Sequence, residues 1–312
     1  MTRATAPAPA QTRIASRRPK RKRGVGRAMA WTYLIVVLAV TIFPLYWILR
    51  TALSNNKALA TDPSSFLPVD FTFGAFQRVL GLATTAEAQL QGGSGASLDL
   101  GIFVRNSIIY ATVWTVLVVF FSALAAYAFS RLHWRGRNLV FAVLMTALMV
   151  PGIMTLLPNF LLIKQLGLIN TFAGLILPGA LFSAFNIFFL RQFFLGMSSE
   201  IEEAALIDGA GRVRVLFQII LPNARGPIAT LSILGFIGAW NDYFWPLLVS
   251  TSGDEVRPLT LALAVFKQSA PGTTTDWAGL MAAALVAAFP MFILFMVFGK
   301  RIVNSIGFTG IR

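Results

Sequence analysis

Six apolar runs, each roughly 20 residues long, constrain this chain more than any other feature. They extend from Ala28 to Leu49, Asn106 to Phe129, Asn138 to Leu162, Phe172 to Phe194, Gly226 to Val249 and Trp277 to Phe298. About 20 apolar residues in a helix cross a hydrocarbon core about 30 Å thick. Of the 312 residues, 56% are hydrophobic and 12% charged, against about 25% charged in a soluble domain. The chain therefore reads as all-α, a polytopic membrane protein with six transmembrane helices. Pro44, Pro151, Pro158, Pro178, Pro246 and Pro290 fall inside the runs. Proline is tolerated in lipid where neighbouring helices satisfy the freed carbonyls, so kinked spans packed in a bundle are expected.

The charges set an orientation. If the N-terminus is cytoplasmic, the inside segments hold nine basic residues from Arg3 to Arg27, then Arg131, Arg135 and Arg137, then Arg191, Arg212, Arg214 and Arg225, then Lys300, Arg301 and Arg312. That places 19 of the 26 Lys and Arg inside and seven outside, as the positive-inside rule requires for both termini in the cytoplasm. The net charge of +14 could suggest nucleic acid, but no nucleic-acid motif accompanies it. A basic flank before the first span serves topology and attracts anionic lipid. Residues 1–27 read as a basic, disordered cytoplasmic tail, and residues 28–312 as the transmembrane domain. That domain carries an external loop over 50–105, a cytoplasmic loop over 195–225 and a second external loop over 250–276. The tail is too long and the first run too extended for a cleavable signal peptide.

Several chemistries are excluded. There is no cysteine, hence no disulfide, thiolate metal site or Cys nucleophile. Gly92-Gly93-Ser94-Gly95 has a G-x-S-G pattern, but it lies in a polar external loop while His133, the sole histidine, is on the opposite side. No serine–histidine pair can form. No G-x-x-x-x-G-K-[ST] phosphate loop occurs, so a nucleotide site, if one is used, belongs to another chain. His133 itself carries no evident chemistry.

The sharpest local signal is in the 195–225 loop. Ser199 and Glu202 have capping-box spacing, which predicts a helix starting there, with acidic residues suited to its dipole. Ile201, Ala204, Ala205 and Asp208 fall at i, i+3, i+4 and i+7 on one face. Gly209 and Gly211 then allow a turn, and a second short helix from Arg212 is expected to break at Leu221-Pro222. Two readings of this elbow stay open on physics alone: an amphipathic hairpin lying on lipid, or a small-residue face docked to a partner.

In the spans, Asn241 and Asp242 interrupt the fifth run, and Asn186 the fourth. An ionisable residue there must face protein or water. Either it lines a polar path or it makes a structural hydrogen bond to a neighbouring helix. Tyr243 and Trp245 belong either to that path or to an interfacial aromatic belt.

The sequence Glu203-Ala204-Ala205, three residues, Gly209, nine residues, Ile219, one residue, Leu221-Pro222 resembles the EAA signature of binding-protein-dependent ABC importer permeases. The segment from Trp240 to Leu247, the tail Gly307 to Gly310, and Asn106-Ser107 are similar to the carbohydrate-uptake branch that includes the smaller permease of the maltose system. The resemblance covers Ala28 to Arg312. It implies that Glu203, Ala204, Ala205, Asp208, Gly209, Ile219, Leu221 and Pro222 couple to an ATPase subunit. It also implies that the solute is a sugar or oligosaccharide, for which Asn186, Asn241, Asp242, Tyr243 and Trp245 are the candidate path residues. The implied partners are a homologous permease forming a heterodimer, two ATPase subunits that carry the ATP and Mg, and an external solute-binding protein. The loop from Ser250 to Asp276 would touch that binding protein. No cofactor is expected on this chain, which would sit in a bacterial plasma membrane. A polyol, a glycerol phosphodiester or a stand-alone secondary transporter are the alternatives. A secondary transporter predicts more intramembrane charge or inverted repeats than these spans show.

Overall fold

The computed structural model describes residues 24–93, 99–268 and 275–306. The chain divides into two compact units, with the boundary between Trp47 and Ile48. The first holds most of α1 (Gly24–Ala52), a 29-residue helix with no charged residue between Arg27 and Arg50. It is apolar all round, as a membrane-crossing helix is. Its first turn starts at Gly24, four residues before the expected start of the first span at Ala28. Residues 1–23 lie outside the described residues, as do Ser94 and Gly95 of the G-x-S-G pattern and the tail Gly307 to Gly310.

The second unit starts with structure where a loop was expected. Three short helices, α2 (Asn56–Thr61), α3 (Gly74–Val79) and α4 (Thr85–Leu90), occupy the 50–93 segment. Two of them start at a side-chain cap. Asn55 accepts from the backbone N–H of Lys57 at the start of α2. Thr84 and Glu87 form a capping box on α4, and the Thr84 backbone N–H and hydroxyl hold the Glu87 carboxyl below its usual pKa. One isolated antiparallel bridge pairs Ser54 with Phe71, and no other β-pairing occurs among the described residues.

The second apolar run becomes α5 (Leu100–Arg131), which begins before Asn106 because Asp99 accepts from the backbone N–H of Ile102. It runs unbroken for 32 residues. The third run breaks. α6 (Arg137–Thr146) passes through a 3₁₀ turn at Ala147–Met149 and meets α7 (Gly152–Gln165) at 103°. Proline disfavours helical geometry in the residue before it, and Val150, preceding Pro151, is extended at φ −84°, ψ 118°. The fourth run is α8 (Phe172–Ala180) and α9 (Ala184–Leu195), bent by 46°. Pro178 sits in the last turns of α8, and the Ser183 hydroxyl caps α9 by accepting from the Asn186 N–H at 3.3 Å.

After α9 come α10 (Glu200–Ile207), α11 (Arg212–Val215), a π turn at Leu216–Ile220 and α12 (Leu221–Asn223). The expected break at Leu221-Pro222 does not occur. The chain bends instead at Ala224, where α12 and α13 (Arg225–Trp240) meet at 77°. A wide π turn directly upstream relieves the clash that Pro222 would make with the carbonyl four residues back. The fifth run, expected from Gly226 to Val249 as one span, also divides. α13 stops at Trp240 and α14 (Phe244–Val249) follows. The Asn241 amide donates to the Ile237 carbonyl at 2.8 Å, and Asp242 accepts from the Trp245 N–H at 3.4 Å. Such local side-chain bonds compete with a continuous helix. Finally α15 (Leu259–Gln268) lies within the expected 250–276 loop, and α16 (Trp277–Ile306) closes the chain.

Three helices are long and apolar enough to cross a membrane, and up to six crossings result if each bent pair is one span. α5 is the hub, packing against α8, α9, α13 and α15. Two large apolar cores flank it, with a small third cluster of Phe129, Leu144 and Ile187 near its C-terminal end. One joins its N-terminal half to α3, α8, α14, α15 and α16. The other joins its C-terminal half to α9, α11 and the π turn. Trp114 packs against both.

The end opposite α10 is fastened by a buried ion pair. Arg78 Nη2 lies 3.0 Å from Asp276 Oδ1, with side chains 5% and 3% exposed. Asn56 donates to the Gly92 and Thr275 carbonyls and accepts from the Ala278 N–H. Removing one member of a buried pair strands the other charge, at about 3–5 kcal/mol. We expect Arg78→Ala to cost that much in thermal or denaturant unfolding of the detergent-purified chain. Arg78→Met with Asp276→Leu should recover more than half of the loss.

Candidate functional site

Two sites lie at different depths of the second unit. The first is the elbow formed by α10, α11 and the π turn. Helix α10 begins without the expected capping box: Ser199 has helical φ −76°, ψ −18° and makes no side-chain cap bond. The Ser198 hydroxyl accepts from the Glu200 N–H instead. Glu202 points inward and is 4% exposed. Its Oε1 takes Arg212 Nη1 at 3.2 Å, and its Oε2 faces Arg131 Nε at 3.5 Å. The Tyr127 hydroxyl lies 3.5 Å from Oε1. Arg131 also donates to the Phe194 and Met197 carbonyls.

The residues of the elbow divide by exposure. Glu203, Ala204, Asp208, Gly209 and Pro222 face outward. Exposed apolar side chains surround them: Ile201 is 59% exposed, Ile207 86% and Val213 71%. Ala205 and Leu221 pack instead on the core beneath, and Ile219 is half-buried. Ala205 thus leaves the outward face proposed for it, since it lies about 60° from Glu202 around the helix and shares its inward edge. Gly209 turns the chain at φ +82°, a left-handed conformation that only glycine adopts readily. Gly211 is extended at φ −72° and has no such need.

The second site is a cavity of about 310 Å³ where α5, α7, α8, α13 and α14 meet. Tyr110 and Trp114 form one wall, Leu156 and Asn159 a second, and Asp242 and Trp245 a third. The Tyr110 hydroxyl donates to Asp242 Oδ2 at 2.8 Å, and the Trp245 indole N–H donates to the Leu175 carbonyl at 3.0 Å. The Thr260 hydroxyl donates to the Asp242 carbonyl oxygen at 2.7 Å. α8 approaches so closely that a Cβ on Gly179 would lie 2.7 Å from the Trp114 indole nitrogen.

Of the expected path residues, Asp242 and Trp245 line this cavity. Asn241 is exposed and bonded to its own helix. Tyr243 is half-buried and stacks edge-on with Phe244 at 5.5 Å, and Asn186 is buried on α9, away from the lining. Sequence reasoning missed Tyr110, Trp114 and Asn159. Tyr110 and Trp114 are four apart on one helix face, and Asn159 follows Pro158 in an otherwise apolar run, so both signals were present.

Residues 118–307 match the family of binding-protein-dependent transport system inner membrane components. The chain belongs to that family. The match contains the whole elbow together with Asp242 and Trp245, while Tyr110 and Trp114 precede it. Members are multi-pass components of transport systems in the inner membrane, not enzymes. The chain is 30% identical over 280 residues to the diacetylchitobiose uptake system permease protein NgcG of Streptomyces coelicolor, covering 89% of this chain and 87% of that protein. It is 32% identical over 276 residues to the sn-glycerol-3-phosphate transport system permease protein UgpE of Salmonella typhi, covering 88% and 94%. A crystal structure of a bacterial ABC transporter involved in the import of the acidic polysaccharide alginate contains a chain that superposes with a TM-score of 0.74. That pair is 25% identical and covers 90% of this chain and 97% of the other.

The turn geometry separates two glycines of this permease. Gly209→Ala forces a β-carbon into the left-handed region, at about 1–2 kcal/mol. Gly211→Ala should change stability by no more than about 0.5 kcal/mol. Thermal unfolding of the two variants side by side checks this.

Proposed function

We propose that this permease translocates a sugar delivered by an external solute-binding protein, and that separate ATPase subunits drive it from the cytoplasmic side. The arrangement has six crossings with both termini inside, in line with the distribution of Lys and Arg. ATP and Mg would be held by the ATPase subunits. A homologous permease would complete the pore as a heterodimer, with the two subunits sharing the binding protein above and one ATPase each below.

The elbow supports the coupling role. Its exposed apolar side chains flank two small or turning positions, Ala204 and Gly209, and an acidic first turn. An apolar centre with a charged rim is the anatomy of a docking surface. Glu203, Ala204, Asp208, Gly209 and Pro222 would touch the ATPase. Ala205, Ile219 and Leu221 would hold the elbow's shape from behind.

The cavity carries the choice of solute. Asp242 is the one charged residue among its described lining residues, and no Lys or Arg joins it. A phosphate or uronate would meet a carboxylate with no compensating cation, which the low local dielectric makes costly. A neutral, hydroxyl-rich solute finds what it needs: a carboxylate and an amide for its hydroxyls, and two indoles against which the apolar face of a sugar ring can lie. At about 310 Å³ the cavity is at the small end of the ligand-site range of about 300–1,000 Å³. It suits one ring at a time.

Two experiments test the reading. Glu203→Lys together with Gly209→Pro should abolish co-purification of the ATPase subunits; transport by the chain alone, indifferent to these changes, would overturn the proposal. A panel of neutral sugars, glycerol phosphodiesters and uronates presented to the cognate binding protein should show neutral sugars binding. Asp242→Ala should then lower uptake of the bound sugar about tenfold or more, the worth of a hydrogen bond to a charged group. A charged solute as the preferred ligand would contradict the assignment.

A further inference from the structure

Glu202 is a buried carboxylate that the docking surface does not use. It lies on the inner edge of α10, away from Glu203 and Ala204, and shares its two oxygens between Arg212 at the start of α11 and Arg131 at the end of α5. Burying a charge is expensive unless its partners are held in place. Here they are held: Arg131 also bonds the Phe194 and Met197 carbonyls, which ties in the end of α9 and the linker to α10. The Tyr127 hydroxyl, one turn before Arg131 on the same face of α5, reaches both Glu202 and the Arg212 carbonyl at 3.3 Å. Four chain segments therefore meet on one carboxylate.

The partner helix is the other half of the argument. α5 carries Tyr127 and Arg131 at this end and Tyr110 and Trp114 in the cavity wall, with no proline between them. The 21 residue steps from Tyr110 to Arg131 span about 32 Å of uninterrupted helix. The elbow's other routes to the cavity are less direct. α13 is reached through the 77° bend at Ala224, and α8 through the 46° bend between α8 and α9. An unbroken helix fixed at one end to the elbow is the most direct route available.

We infer that Glu202 is a positioning residue that locks α10 to the end of α5, so that displacement of the elbow moves the Tyr110–Trp114 wall of the cavity with it. The inference rests on the proposed coupling role of the elbow. It extends that role from the surface an ATPase would touch to the route by which its motion reaches the solute path. Glu202 Oε2 and Arg131 Nε, with no hydrogen bond closer than their 3.5 Å contact, are the joint of this linkage.

The test uses the complete complex of both permeases and the ATPase subunits. The chain has no cysteine, so Glu200→Cys at the start of α10, outside the apolar surface of Ile201, Ile207 and Val213, and Val116→Cys on α5, both exposed, accept spin labels without background. Pulsed distance measurements are made with and without a non-hydrolysable Mg–ATP analogue. In the otherwise native chain the α10–α5 distance should stay within about 2 Å on adding nucleotide. With Glu202→Gln it should shift by more than that or broaden, at an unchanged melting temperature of the complex. A nucleotide-dependent change in the native chain, or a Glu202→Gln distribution identical to native, overturns the inference. If Glu202→Gln does not assemble, Arg131→Lys keeps the opposite charge but loses the fork, and the same two outcomes decide. Failure of the native chain to bind any ATPase subunit would remove the coupling reading itself, a result the distance measurement does not mimic.

Discussion

A backbone inside hydrocarbon has no water to bond, so each N–H and C=O there must find its partner within the protein. That constraint arranges the whole second unit around α5. As an unbroken helix, α5 satisfies its own backbone and offers a long surface. The segments packed on it can then afford to break. α6–α7, α8–α9 and α13–α14 are each interrupted, and the latter two interruptions lie against α5 or its neighbours, where side chains supply the missing bonds. Asp242 is the clearest case: the residue that stops α13 is held by Tyr110 of α5. The break that opens the cavity and the bond that stabilises it are one feature.

The same logic explains why charge is scarce in the spans and concentrated at the ends. Two groups of charges are buried and tied together, while the buried Arg50 is held by the Leu67 and Asp62 carbonyls. Arg78 and Asp276 close one end, joined through Gln91 and the backbone around Asn56. Glu202, Arg131 and Arg212 close the other. Between them lie two large apolar cores that meet at Trp114. A bundle fastened at both ends and jointed in the middle is suited to rocking between states without unfolding.

Much of this was legible in the sequence, because hydrocarbon imposes strong patterns. The six apolar runs, the prolines and the asymmetry of Lys and Arg all follow from the thickness and dielectric of a bilayer. The EAA-like spacing marked the elbow for a separate, local reason: a turn at φ +82° favours glycine at position 209. The finer geometry was hidden. Glu202 read as a capping residue, since a carboxylate three positions after a serine fits a local rule. Its true partners, Arg131 and Arg212, are set by how α5 and α10 pack, and no local pattern reports that. Pro222 read as a breaker because the π turn that accommodates it has no sequence signature. Tyr110 and Asn159 carried local signals, but nothing in those signals tied them to Asp242; that follows from the convergence of α5 and α7 on one cavity. The short helices α2 to α4 were missed because six residues are too few to show an apolar period, even where a capping box such as Thr84 with Glu87 marks the start.

The central claim is that the elbow at α10 lies in the cytoplasm and is covered by an ATPase subunit. The most direct measurement uses one thiol at a time in this cysteine-free chain. Ile207→Cys on the elbow and Leu82→Cys at the opposite end, both strongly exposed, are treated with a membrane-impermeant maleimide in intact cells and in inside-out vesicles. The account predicts that the Leu82 position labels from outside and the Ile207 position only in inside-out vesicles, and there only after the ATPase subunits have been stripped away. Labelling of the Ile207 position in intact cells, or labelling that ignores the ATPase subunits, would contradict it.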